Sequence, residues 1–505
     1  MNLSTIADFL WGDKAKLRYL LIGGALLLFL LLGAREIWTQ EHRWADIVMA
    51  MFGRHDFFHP FLDGRSYYDK PLLSYWLIAF ASQVLGGLTT WALRIPSALA
   101  GLVALWSIYR IGTQLKDKKL GMLSGWLLLT TFYFVFWART SSADMLNLAG
   151  ILLAIAWYFE KRNQTTTFDY AVFFMIVAIT SLCKGLVGAV IPLLAVFIDM
   201  CLQGSLRAHL RLPLLIATLP AIIVYLLPFW LSSHIGGTSY SEDGLYLVYR
   251  ENILRYFHPF DHKDPIYTYF IYLPIYLLPG AFFFFLPALA SVFTRFRRMG
   301  LESKWIVLTL TIVFLFFTLS GSRRSYYVIP VVPFAILFTA DWILSDKSTL
   351  AKRRLWAAFM IIASFFILLV TIDLLPEWYY SQYGSVQFTE KVKTIARKEK
   401  PWYEWRIVML DAESKLNFYL QHAASIEKYD LDESIATGRR NTLQKSNPFL
   451  ADKTSNTIYV TRKSHLGLLQ PLFTGYRIEE APTFRLPRFL QQNEDNTPIA
   501  FIPIK

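Results

Sequence analysis

Several stretches of this 505-residue chain place acids and cations beside long apolar runs. Gln40, Glu41 and Arg43 come first, followed by Tyr67, Tyr68, Asp69 and Lys70. Arg139 and Asp144 flank a short polar turn, and Lys184 closes an apolar run. Further on, Glu251, Asn252 and Arg255 precede Asp261 and His262, and Arg324 precedes Tyr326 and Tyr327. Ammonium and guanidinium groups neutralise a phosphate that gains charge as it leaves. A carboxylate can take the proton of an attacking hydroxyl. Such an inventory suits displacement of a phosphate leaving group by an oxygen nucleophile.

The elements that carry these residues are apolar helices. Hydrophobic residues make up 55% of the chain and charged residues 17%, against about 25% charged in soluble proteins. Lipid offers backbone groups no hydrogen-bond partners, so a spanning segment is a helix of about 20 apolar residues. Spans are read near 17–35, 92–110, 120–137, 143–160, 168–183, 185–202, 211–231, 267–294, 303–320, 326–345 and 354–375. The fold class is mainly α: a polytopic helical membrane protein with about 11 spans and helices lying along the outer face.

Basic residues fix the expected orientation. Lys14, Lys16, Arg18, Lys116, Lys118, Lys119, Arg207, Arg211, Arg295, Arg297 and Arg298 fall in alternate connections. The positive-inside rule assigns those connections to the cytoplasm. The N-terminus is then cytoplasmic, and residues 36–91 and 232–266 form outward loops. The apolar run Pro71–Gly86 is read as a helix in the outer interface, because counting it as a span would throw the Lys116–Lys119 cluster outward. Residues 1–375 form the membrane domain in this reading. Residues 376–505 turn soluble in composition and are expected to form a small outward α/β domain. Strands are expected at Arg406–Leu410 and Thr457–Val460, with a short helix at Glu413–His422 between them. The net charge of +13 is explained by the same rule, so no nucleic-acid partner is implied. Cys183 and Cys201 flank one span, roughly 27 Å apart on a helix, too far for a disulfide.

Motifs in order along the chain resemble the GT-C class of membrane glycosyltransferases, especially lipid A aminoarabinose transferases and the related protein O-mannosyltransferases. The resemblance runs from about Leu31 to Trp342. It begins at residues 32–46, similar to a first-loop motif that usually ends Asp-Glu-x-Arg-Tyr-Ala-Glu. Tyr68-Asp69-Lys70-Pro71-Leu72-Leu73-Ser74-Tyr75-Trp76 is similar to Phe-Glu-Lys-Pro-Pro-Leu-x-Tyr-Trp. Arg94 to Ala98, Ala138 to Asp144, Lys184-Gly185, Arg250 to Phe257 and Ser322 to Pro330 complete the series. The resemblance implies a polyprenyl (undecaprenyl) phosphate sugar donor and an envelope acceptor, either a glycolipid such as lipid A or lipopolysaccharide, or a protein. It also implies a multi-pass protein of the bacterial inner membrane with its C-terminal domain in the periplasm.

Roles follow from the matched positions. Glu41, Asp69 and Asp144 are the acids expected at the reacting centre. Lys70, Arg139, Lys184, Arg255 and Arg324 are expected to hold the donor phosphate, with Gln40, Arg43, Tyr326 and Tyr327 as further site residues. Gln40 stands where the family usually has Asp, and Gln accepts no proton at neutral pH. Either Glu41 or Asp69 takes the role of base, or the acceptor oxygen is already an anion and needs none.

The sequence requires no cofactor, though a divalent cation is compatible with it. His55 with His59, and His258 with His262, have i,i+4 spacing that could share a metal, but Pro60 and Pro259 argue against a regular helix at either pair. A lipid transporter or flippase is the rival from another class. It would place charges at membrane depth or repeat an inverted half; few ionisable residues interrupt the span interiors, and no inverted symmetry is seen.

Overall fold

The computed structural model describes residues 3–38, 40–235, 248–345, 350–429, 431, 456–484 and 494–503. Residues 236–247 of the expected outward loop 232–266, and 432–455 and 485–493 of the expected outward domain, lie outside them. The chain divides into two compact units, Met1–Leu32 with Ile47–Asp373, and Gly33–Asp46 with Leu374–Lys505.

The first unit is helical. In chain order it holds α1 (Leu3–Leu10), α2 (Leu17–Phe29), α3 (Glu41–Arg54, whose first residues count with the second unit), α4 (Leu73–Val84) and α5 (Thr90–Leu115). Then come α6 (Lys118–Leu129), α7 (Phe132–Ala138), α8 (Ala143–Lys161), α9 (Thr167–Lys184), α10 (Val187–Gln203), α11 (Leu206–His209) and α12 (Leu212–His234). A π-helical turn at Arg250–Leu254 leads into α13 (Arg255–Phe257), followed by α14 (Thr268–Tyr276) and α15 (Phe282–Arg295). The unit closes with α16 (Leu301–Leu319), α17 (Val332–Ser345) and α18 (Leu350–Leu368).

Local chemistry starts several of these helices. The side chains of Thr89, Asp117 and Ser142 accept from backbone N–H groups in the first turns of α5, α6 and α8. Thr166 and Asp169 form a reciprocal capping box on α9, which satisfies donors that a helix start leaves without partners. Helix α5 packs on α6 and α8, and α9 packs on α8 and α12. The chain is a membrane-embedded protein.

Among the described residues, 7 helices are long and apolar enough to cross a membrane. The expected spans missing from that count are the shorter α2 and α10 and two that are broken. Expected span 120–137 is α6 and α7, interrupted at Thr130-Thr131, and expected span 267–294 is α14 and α15, interrupted around Pro279. The breaks satisfy one another: Phe132 N–H donates to the Leu278 carbonyl at 2.9 Å, and Thr131 bridges to Pro279. The Thr130 and Thr131 hydroxyls turn back to carbonyls of Trp126 and Leu127. Irregular backbone is tolerable at membrane depth when its polar groups find such partners. Apolar composition alone does not report it. The 12-residue α4, roughly 18 Å long at 1.5 Å per residue, falls where the interfacial helix was expected.

Polar bonds in this unit sort by end. Lys116 with Ser303 and Asp341, Arg110 with Glu160, Arg162 with Asp199, and Lys119 with Asp13 join residues from the ends expected to face the cytoplasm. The residues of the expected outward loops bond among themselves, as described below.

The second unit contains a five-stranded sheet and a two-layer core. Strands β1 (Phe61–Leu62) and β2 (Arg65–Ser66) form a small hairpin in the first unit. The sheet here consists of β3 (Arg406–Leu410), β4 (Ser425–Tyr429), β5 (Thr457–Arg462), β6 (Tyr476–Glu480) and β7 (Pro498–Pro503). Its order is β4-β3-β5-β7-β6, with β3 parallel to β4 and β5, and β7 antiparallel to β5 and β6. Alternate residues face opposite sides, as a strand requires. Ile407, Met409, Ile458, Val460, Ala500 and Ile502 pack with Phe388, Val392 and Ala396 of α19 (Ser385–Glu399). Val408, Leu410, Tyr459, Ile499 and Phe501 pack with Leu469 and Phe473 on the other face. The expected strands at 406–410 and 457–460 are present, and the expected helix 413–422 shortens to α20 (Leu416–Tyr419). Residues 33–46 join this unit through polar bonds. Glu36 accepts from Ser385 N–H and pairs with Lys415, and Asp46 accepts from Asn417 at 2.7 Å and pairs with Lys428 at 2.9 Å.

Candidate active site

The first-loop acid and cation of the membrane unit are placed by a tight turn. Asp63 and Gly64 both have positive φ, at 47° and 80°, the combination that an Asp-Gly hairpin turn uses. The turn reverses the chain between β1 and β2, and Tyr67 N–H returns to the Pro60 carbonyl at 2.8 Å. Asp69 and Lys70 then stand just before Pro71 and α4. The Lys70 ammonium pairs with Asp69 Oδ2 at 3.0 Å, and the Tyr67 hydroxyl donates to the same oxygen at 3.2 Å.

Arg255, from the turn after α12, reaches this carboxylate. Its Nη1 lies 3.7 Å from Asp69 Oδ1 and 2.5 Å from Glu251 Oε2. Its Nη2 donates to both Asp261 carboxylate oxygens at 2.8 Å and meets the Tyr327 hydroxyl at 3.4 Å. Burial pushes the Asp69 carboxyl upward, but Lys70, Arg255 and the Tyr67 hydroxyl outweigh it and hold the group down to about 2. Glu251 moves the other way. Burial raises it above its ordinary range, and the Asp69 charge adds to that against the pull of Arg255 and Lys70. Burial also lowers His262, against the opposing charge of Asp261.

Tyr327 extends the cluster. The Lys184 ammonium lies 5.2 Å from the centre of its ring and pairs with Asp144. Asp144 sits in the first turn of α8, where the helix dipole favours a carboxylate. Arg324 approaches His262 Nε2 at 3.4 Å and lies 5.1 Å from the ring centre of Tyr326. Among the described residues, Arg324 has no carboxylate partner. The structure therefore brings together Asp69, Lys70, Asp144, Lys184, Arg255, Arg324, Tyr326 and Tyr327. Glu251, Asp261 and His262 join them; the sequence placed the first two in an outward loop without a role and named His262 only as a weak metal candidate. The i,i+4 spacing of Glu251 and Arg255 was the available signal.

Other expected site residues make contacts of their own. Arg139 is buried; it donates to the Leu27 carbonyl at 2.9 Å and pairs with Asp373 at 2.7 Å. Gln40, Glu41 and Arg43 belong to the second unit. Glu41 is fully buried at the start of α3, accepts from Trp38 N–H at 2.7 Å and faces Arg35 at 3.3 Å. Arg43 is exposed.

Neither histidine pair lies along a helical turn. His55 and His262 have positive φ, at 53° and 52°, and His258 ends α13. Both ring nitrogens of His59 are engaged, with Asp56 at 2.8 Å and the Ser232 carbonyl at 2.9 Å. Among the described residues no group of three or more His, Cys, Asp or Glu side chains could hold a metal.

The family described as "Dolichyl-phosphate-mannose-protein mannosyltransferase" matches residues 69–231. An uncharacterised protein of Aquifex aeolicus is 24% identical over 342 residues, covering 67% of this chain and 66% of that one. The undecaprenyl phosphate-alpha-4-amino-4-deoxy-L-arabinose arabinosyl transferase of Shewanella sediminis is 26% identical over 351 residues, covering 67% of this chain and 62% of that one. The chain thus spans just under two thirds of the length of these curated relatives. The crystal structure of ArnT from Cupriavidus metallidurans bound to undecaprenyl phosphate superposes with a TM-score of 0.70 at 15% identity, over 96% of this chain and 97% of that one. The chain has the fold of that protein, and in sequence and fold it resembles the GT-C class.

Proposed function

We propose that this chain is a membrane glycosyltransferase that moves a sugar from a polyprenyl phosphate to an envelope acceptor at the outer face of the bacterial inner membrane. The observation that carries the reading is Arg324, a cation with no carboxylate partner among the described residues, beside a cluster in which Lys70, Lys184 and Arg255 are already held in place. Relatives named for undecaprenyl phosphate-linked aminoarabinose support the donor class, as does a fold neighbour solved with undecaprenyl phosphate. The N-terminus is cytoplasmic in this reading, and the second unit is periplasmic.

In the proposed step the acceptor oxygen attacks the anomeric carbon. The bond from that carbon to the phosphate oxygen breaks, and its electron pair leaves with the phosphate. Arg324, Lys184, Arg255 and Lys70 neutralise the charge that develops there. Asp144 orients Lys184, and Asp69 orients Lys70 and Arg255. A carboxylate held down to about 2 is a weak proton acceptor. That favours an acceptor oxygen already anionic, such as a phosphate of lipid A or lipopolysaccharide. Arg139 serves in this reading through its buried pair with Asp373, and Glu41 is the second unit's candidate acid.

Transfer to a protein hydroxyl is the second reading, favoured by the description of the family that matches residues 69–231. Purified protein given defined undecaprenyl phosphate sugars and lipid A tests the first. Mass spectrometry of lipid A and of secreted proteins, from cells with and without the chain, separates the two. Asp69→Asn, Lys70→Ala and Glu41→Gln are each expected to cut transfer sharply while the protein stays in the membrane. Normal turnover by all three removes the site assignment.

A further inference from the structure

Two of the cations in this cluster sit on separate stretches of chain that have no covalent reason to hold register. Lys184 ends α9, and Arg255 begins α13, with α10 to α12 between them. A phosphate can be gripped by both only if both stretches are fixed in one geometry, and small misplacements lose much of the benefit. Besides the Tyr327 ring, which meets both cations, one side chain ties their backbones together. Asn252, in the π-helical turn before Arg255, accepts from Leu186 N–H through Oδ1 at 2.7 Å and donates from Nδ2 to the Val248 carbonyl at 2.8 Å.

The backbone on the other side is shaped to receive it. Gly185, next to Lys184, has φ +120°, where side chains are rarely found, and a Cβ there would come within 2.6 Å of Asn252 Oδ1. The glycine therefore both permits the turn between α9 and α10 and leaves room for the amide. The Leu186 N–H belongs to the start of a helix that has no side-chain cap of its own. Asn252 fills that role from another segment.

We infer that Asn252 is a positioning residue: it clamps the Gly185-Leu186 backbone to the turn that carries Arg255, so that Lys184 and Arg255 address the same donor phosphate. The inference rests on the donor site proposed above. It gives Asn252 no contact with substrate.

A double-mutant cycle on the full-length protein tests it, reading affinity for undecaprenyl phosphate alone together with the melting temperature. Asn252→Ala and Lys184→Ala are each expected to weaken binding roughly tenfold, and the double variant to be no weaker than Lys184→Ala, because uncoupled groups add and coupled ones do not. Losses that multiply in the double variant overturn the inference and leave the donor site standing. Wild-type affinity in Lys184→Ala overturns both.

Asn252→Asp is the second variant, since it keeps an oxygen for the Leu186 N–H and adds a charge that salt screens. It loses the donor to the Val248 carbonyl, so at high salt it should bind more tightly than Asn252→Ala without reaching wild type. Equal weakness in the two overturns the clamp. If the alanine variant does not fold, the aspartate variant carries the test alone, and binding no tighter at high salt than that of Lys184→Ala counts against the inference.

Discussion

The Lys184 ammonium lies 5.2 Å from the ring centre of Tyr327, and the hydroxyl of that tyrosine meets the Arg255 guanidinium at 3.4 Å. One phenol thus touches two cations from different helices, its face to one and its oxygen to the other. The π face attracts an ammonium, and the oxygen accepts from the guanidinium.

Replacing Tyr327 separates these two contacts. Tyr327→Phe keeps the ring and loses only a long hydrogen bond, so donor affinity should fall by about threefold or less. Tyr327→Leu also loses the face over which Lys184 sits and should cost about tenfold. Titration with undecaprenyl phosphate measures both. Equal losses would mean that the hydroxyl alone matters.

Arg324 and Arg255 should respond differently to removal. Arg324 has no carboxylate partner among the described residues, so Arg324→Ala strands no buried acid. It should weaken donor binding by roughly 10-fold to 100-fold with an unchanged melting temperature. Arg255→Ala leaves Asp69, Glu251 and Asp261 without the cation they share, and should lower the melting temperature as well. Thermal melting in detergent beside a binding titration distinguishes them.

The pH dependence follows from the opposite shifts of two acids. Asp69 is held down from 3.8 to about 2, so its ion pairing is complete above the ordinary carboxylate value and is lost only as pH falls through about 2. Asp69→Asn should therefore lower the transfer rate without adding a limb of its own above the ordinary carboxylate range, and should shift the Glu251 limb downward, because the Asp69 charge helps to raise that acid. Glu251 is raised; its neutral form is favoured by the fold, and that stability is lost as pH rises through its folded value. Transfer should climb as Glu251 ionises to hold Arg255, giving an acid limb above the ordinary glutamate range. Glu251→Gln should abolish that limb. Its persistence in a pH–rate profile of the variant would assign it to another group.

Arg139 and Asp373 form a buried pair at 2.7 Å. Removing either partner leaves the other charged and unsolvated, which costs about 3–5 kcal/mol. Asp373→Ala should therefore lower the melting temperature markedly, and the double variant Arg139→Met with Asp373→Leu should recover most of it. Full loss of donor binding in a well-folded double variant would instead place Arg139 at the phosphate.

Much of this was legible in the sequence because it is local. Apolar runs announce helices in lipid wherever they fall, since the bilayer imposes the same demand on each. The short apolar, β-branched runs at 406–410 and 457–460 reported two of the sheet's strands in the same way. The polar residues at the expected outward ends were named by type and position, and most of those in the first unit do converge. The breaks at Thr131 and Pro279 were invisible, because each is stable only when the other supplies a backbone partner.

By itself, then, the sequence determined that the chain is built of membrane helices with acids and cations gathered at their expected outward ends. Only the tertiary structure decided which acid faces which cation: that Arg255 gathers Asp69, Glu251 and Asp261, that Arg139 turns to Asp373, and that Arg324 has no carboxylate partner among the described residues. It also decided that Asn252 reaches across to Leu186. Those pairings join segments far apart in the chain, and hydrophobic periodicity records how a residue is buried, not which distant residue it is buried against.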